Sequence, residues 1–258
     1  MTNIIRADIY RILRGKTLYL AFGILTAFLI FMISAGAING VELPFVVSNT
    51  VEFNGMNSVF FLLPNVSILT FFAIPLITIV AGPVFQDKTS KNEVSWGMSR
   101  TKLYFSRLIL VAALLLIMQV YFVGFGMLVS TLLTGFGGTP PAGYWLTVLQ
   151  SMSSQYLLLV AAGAIGIFLF FVLKTSYAVV EFYFAAVMLP SMLVAFAGIA
   201  GLDLSHFLHF DIVTNIGNLG LITQFGSRNV AIALALGACL LTASTVAGLT
   251  VFRKAEIK

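Results

Sequence analysis

Few residues in this chain are of types and spacings that do chemistry, and each has a plainer role to be weighed against. Gly15-Lys16-Thr17 has the ending of a phosphate-binding loop. That motif needs a glycine five residues before Gly15 and a preceding strand, but position 10 is Tyr and no strand pattern leads into it, so the triplet carries no nucleotide chemistry. His206 and His209 stand three residues apart with Asp203 and Asp211 nearby, a set that would suit a metal or a proton relay. Interfacial polar residues of an outer loop explain them more simply, and no metal site is expected. Glu181 is the one ionisable side chain well inside an apolar run, which makes it a functional candidate. About one turn from the run's inner end, it is also placed to snorkel or to pair with Lys174, the role expected here. Gln119 and Asn65 are polar positions in apolar runs, suited to a pathway or to hydrogen bonds between helices, and packing is expected of both. No arrangement of nucleophile, base and orienter supports an enzyme. The single cysteine, Cys239, allows neither an intrachain disulfide nor a cysteine zinc site.

The elements that must position these residues are helices in a membrane. Of 258 residues, 60% are hydrophobic and 9% charged, and mean hydropathy is +1.05. A soluble domain carries about 25% charged residues. The expected fold is all-α: one polytopic membrane domain over residues 1–258. Six apolar runs, roughly 17–36, 58–83, 108–134, 154–173, 178–200 and 229–252, each reach the ~20 residues that cross a ~30 Å core. Ahead of them, residues 1–16 place Ile4, Ile5, Ile9, Ile12 and Leu13 on one helical face with Arg6, Asp8, Arg11 and Arg14 elsewhere. That pattern predicts an amphipathic helix in the headgroup region. The first apolar run is too long for a signal-peptide core of about 7–15 residues, so it is expected to stay as a span. The second run holds Pro64, Pro75 and Pro83, and kinks are expected there.

Orientation follows from the basic residues. With both termini cytoplasmic, thirteen of the fourteen lysines and arginines fall inside, and only Arg228 falls outside. The net charge of +5 is therefore a topology signal, and no nucleic-acid partner is expected. The outer loops would be 37–57, a Gly/Pro-rich stretch at 135–153 with Trp145 as an interface anchor, and 201–228, read as small helices on the outer surface. No internal repeat argues for an inverted-repeat carrier. Ala162-xxx-Gly166 and Ala233-xxx-Gly237 permit close helix approach.

The longest strongly polar interval, 86–107, lies between the second and third spans. Ser90-Lys91-Asn92-Glu93 is a capping box, a short helix can continue through Trp96, and Gly97 supplies a stop. Ser99 is placed to cap the next helix, which runs through Tyr104 and Arg107 into the third span.

Six spans, an amphipathic first helix and this basic loop together resemble the permease subunits of ABC-2 type transporters. The sharpest local match is Gly97-Met98-Ser99-Arg100-Thr101-Lys102-Leu103-Tyr104-Phe105-Ser106-Arg107. It is similar to the family's Gly-x-Ser-Arg-x-x-x-Tyr-x-Ser-Lys run, with Arg107 where Lys is common. The resemblance implies a separate cytoplasmic ATPase dimer, carrying ATP and magnesium, that grips this loop, and a second permease chain, identical or similar; no cofactor is expected in this chain. It implies a coupling helix at about Ser90–Gly97, with Glu93 and Trp96 touching the ATPase and Ser99, Arg100 and Tyr104 continuing the coupling stretch. It also makes 1–16 a connecting helix and 201–228 outer re-entrant or surface helices. The small size and the lack of a large outer domain look most like the peptide-export and lantibiotic-immunity branch of Gram-positive bacteria. That would place the chain in the cytoplasmic membrane and make its cargo amphipathic or hydrophobic peptides moved outward. Drugs or lipid-linked molecules fit the same apolar interior. The reading of another class is an ion-coupled carrier or channel, for which Glu181 is the one intramembrane carboxylate on offer.

Overall fold

The computed structural model describes residues 2–39, 53–86, 99–200, 205–220 and 228–254. Among these, all regular structure is helical, and six helical stretches are long and apolar enough to cross a membrane. Helix α1 (Thr2–Arg14) is separated by Gly15 alone from α2 (Lys16–Asn39), the first span. The second span is α3 (Gly55–Asn65), a 3-10 turn (Val66–Ile68) and α4 (Leu69–Gln86). The third and fourth are α5 (Arg100–Thr134) and α6 (Tyr144–Leu173). The fifth joins α7 (Ser176–Tyr183), a π turn (Phe184–Met188) and α8 (Leu189–Ile199). A 3-10 turn (Ser205–Phe210) and the short α9 (Ile212–Gly220) precede the last span, α10 (Arg228–Lys254).

The irregular points have local causes. Proline lacks an N–H, so Pro64 frees the carbonyl of Phe60 and Pro190 frees that of Ala186. The 3-10 turn begins two residues after Pro64, and the π turn contains Ala186 and ends two residues before Pro190. Near the first break Asn65 Nδ2 donates to the Phe61 carbonyl at 2.8 Å. Pro75 and Pro83 sit in α4 without breaking it. Proline content alone therefore did not say which site would open.

Two loop expectations change. The fourth span begins at Tyr144, ten residues before the expected start at 154, so the expected loop over 135–153 is helical from Tyr144 onward. The polar residues of 144–153 obscured this, yet several of them are satisfied inside the helix or against its neighbours. Tyr144 donates to the Met56 carbonyl at 2.7 Å, and Ser153 and Ser154 both donate to the Gln150 carbonyl. Trp145 remains exposed. In the 201–228 segment α9 does not lie on the surface. Its Ile212, Asn215, Ile216, Leu219 and Gly220 are buried, and it packs against α3 and α6. A Cβ on Gly220 would run into the backbone of Leu63 and Pro64, so this approach requires glycine.

Helix α6 sits at the centre, packing on α10, α5, α4, α9 and α7. Its line of small residues, Ala161 to Ala164 and Gly166, is buried. A Cβ on Gly166 would meet Ile77 and one on Gly237 of α10 would crowd Leu158, so both small-xxx-small pairs are packing devices here.

Candidate functional site

Among the described residues, the first two turns of α5 form a densely connected polar site. Ser99 caps the helix, its Oγ accepting the Lys102 N–H at 3.4 Å, as the sequence pattern predicted. Arg100, Tyr104 and Arg107 then recur at helical spacing, four and three residues apart, and so share a face. Arg107 is fully buried, and its guanidinium is ion-paired and hydrogen-bonded to the Asp8 carboxylate of α1. Asp8 is itself 4% exposed, and its other oxygen is 3.1 Å from Arg11. An unpaired charge in such a place is costly, so the pair fixes where α1 docks. Ile12, one turn on from Asp8, is buried beside it in the core.

The same face reaches the last helix. Arg100 donates to the carbonyls of Phe252 at 3.0 Å and Arg253 at 2.8 Å. These belong to the final turn of α10, whose carbonyls have no partners within the helix. Arg253 returns a hydrogen bond to Thr101 Oγ1 at 3.1 Å. Tyr104 is buried, donates to the Ser244 carbonyl at 3.4 Å and lies 5.0 Å from the Phe171 ring of α6. Phe171 in turn is 4.5 Å from Phe252. Gly248 is required under Tyr104, whose ring a Cβ there would strike. Arg100 and Arg107 each engage further groups beyond these. One short stretch thus ties α1, α6 and α10 together at one end of the bundle, called here the basic end. Its contacts are structural: they hold these helices together.

Ser90, Glu93, Trp96 and Gly97 lie outside the described residues, immediately ahead of this site. The candidates within the membrane do not converge on it. Gln119 is buried and donates across helices to the Met152 carbonyl at 3.0 Å, the packing role expected of it. Asn65 bonds within its own helix, to the Phe61 carbonyl one turn back, rather than between helices. Glu181 is exposed on the fifth span, and it forms no ion pair with Lys174. His209 is exposed; its carbonyl and that of Asp211 accept Asn215 Nδ2, while Asp211 Oδ2 caps α9 at the Thr214 N–H. Among the described residues no group of His, Cys, Asp and Glu is placed to hold a metal ion.

Four residues to which sequence reasoning gave no such role prove central. Arg107 and Asp8 are 99 positions apart, although a lone carboxylate in an arginine-rich helix was a signal. Gln155 is fully buried in α6 and donates to the carbonyls of Leu63 at 2.7 Å and Ile216 at 2.8 Å. It thereby joins the broken second span to α9. Tyr183, the last residue before the π turn, donates to the Thr70 carbonyl at 3.2 Å, just past the 3-10 turn. The two irregular spans therefore meet.

The fold defines a multi-pass helical membrane protein. No protein-family model and no curated protein matches the chain.

Proposed function

We propose that this chain is the membrane-spanning permease subunit of an ATP-driven exporter of the ABC-2 type, working as a pair of such chains, identical or similar, with a separate cytoplasmic ATPase dimer. ATP and magnesium belong to that partner, and the chain is a transport subunit rather than an enzyme. The single observation that supports this reading most is the junction at Arg100, Tyr104 and Arg107. It begins directly after the 87–98 stretch and grips α1, α6 and α10 at once. A load applied to that stretch would move the ends of several spans together, which is what a subunit driven from outside the membrane needs. Both termini are then cytoplasmic, in the cytoplasmic membrane of a Gram-positive bacterium. The cargo is an amphipathic or hydrophobic peptide, as in antimicrobial peptide export or immunity, moved outward. A largely apolar interior favours it, because a formal charge carried through would be left without a partner. Drugs and lipid-linked molecules share that property.

One observation favours the ion-coupled alternative: the broken second span and the π turn of the fifth meet at the Tyr183–Thr70 contact, and discontinuous spans are where carriers build their sites. Glu181, the carboxylate such a carrier would use, is exposed rather than turned into the bundle. The experiment that separates the two is ATP-driven transport in proteoliposomes holding the chain with its co-purifying ATPase, with Glu93→Ala/Trp96→Ala beside the native sequence. Loss of coupling with normal insertion supports the exporter. Unchanged ATP-driven transport with both residues replaced overturns the placement of the coupling helix, and transport driven by an ion gradient alone overturns the exporter.

A further inference from the structure

The outward face of α1 carries Arg6, Ile9, Tyr10, Leu13 and Arg14, all exposed, and Lys16 continues the basic run at the start of α2. Arg14 stacks over the Tyr10 ring at 4.6 Å, and the Tyr19 hydroxyl, one turn into α2, folds back onto the Leu13 carbonyl at 2.8 Å. The only acidic residue of α1 is Asp8. Arg107 draws it to the opposite side, where it is 4% exposed and its charge is met by Arg107 and Arg11. The exposed face is thereby left with cations and apolar side chains and no carboxylate. An interfacial helix of that composition takes negatively charged headgroups over neutral ones, with its apolar residues at the acyl boundary.

We propose that this face is a docking site for anionic phospholipid, in which Arg6, Arg14 and Lys16 meet the lipid phosphates and Ile9, Tyr10 and Leu13 enter the acyl layer. The buried Asp8–Arg107 pair makes the site by removing the one charge that would repel the lipid. The inference rests on the membrane-spanning fold and not on the exporter reading, so either can fail alone.

The test is native mass spectrometry of the full-length chain released from nanodiscs with equal phosphatidylglycerol and phosphatidylcholine. The native chain should retain phosphatidylglycerol in several-fold excess. At a strength of roughly fivefold per basic residue, Arg6→Gln/Arg14→Gln/Lys16→Gln should lose most of that excess. Lys102→Gln/Lys174→Gln/Lys254→Gln, which removes three exposed charges elsewhere, should keep it. All six side chains are exposed, so both variants fold, and nanodisc recovery checks this. Equal retention of the two lipids by the native chain, or equal loss of the excess in the two variants, overturns the proposal.

Discussion

Asp8→Asn is the perturbation that bears hardest on the junction. Asp8 and Arg107 have side-chain exposures of 6% and 0%, so their attraction is little screened by water. Opposite charges ~4 Å apart at an effective dielectric of ~20 attract by about 4 kcal/mol. Removing one partner of a buried pair costs about 3–5 kcal/mol, by a separate route to the same figure. Arg11 adds little, being 38% exposed, and such pairs contribute less than about 1 kcal/mol. The loss should appear first as release of α1 and not as collapse of the bundle, since α1 has few other contacts with it. Ile12, 2% exposed, reports that release: in a Cys239→Ser background, Ile12→Cys is labelled by a membrane-impermeant maleimide only when α1 lifts. With about 3 kcal/mol lost, labelling should accelerate by roughly 150-fold, since each ~1.4 kcal/mol is tenfold. The double variant Asp8→Leu/Arg107→Leu, which leaves neither charge, should return to within about tenfold of the starting rate. An Asp8→Asn chain labelled at the starting rate would refute the argument that this pair holds α1.

Four further outcomes rest on the other contacts described above. Arg100→Ala removes two charge-assisted hydrogen bonds to the last turn of α10, so amide exchange at 250–254 should quicken by about tenfold, while exchange in the middle of α10 stays unchanged. Gln155→Leu deprives the Leu63 and Ile216 carbonyls of their shared donor. It should destabilise α9 by about 2 kcal/mol, read as faster exchange over 212–220. Gly248→Ala places a methyl against the Tyr104 ring and should cost about 1–3 kcal/mol by overpacking, seen as a lower melting temperature. Tyr104→Phe, which gives up only the long bond to Ser244, should cost less than about 1 kcal/mol.

The parts legible in the sequence are those governed by local pattern. Hydropathy over about twenty residues located six spans, because a lipid solvent leaves the backbone no alternative to helix. The Ser99 cap was readable from its position before an apolar run. The fourth span's first ten residues were not, because Thr147, Gln150, Ser151 and Ser153 lower the local hydropathy while Thr147 and Ser153 bond back to their own helix. Nor was α9, whose short buried face gains meaning only from the opening between α3 and α6. The resemblance of the 97–107 run drew attention to Arg100 and Tyr104 as contacts for a partner. Their described contacts are within the chain, to α10 and α6, and pairing across 67 or more positions has no local signature. Gln155 was invisible for the same reason: one amide in an apolar helix does not announce which two carbonyls it serves.

The central claim is that an external ATPase drives this bundle through the stretch ahead of Arg100. The most direct measurement is purification of the tagged chain from its native membrane in mild detergent, with mass spectrometry of what accompanies it, for the native sequence and for Glu93→Ala/Trp96→Ala. The account predicts an ATPase present in stoichiometric amount with the native chain and lost from the variant. A chain that comes through clean, under crosslinking as well, would contradict it.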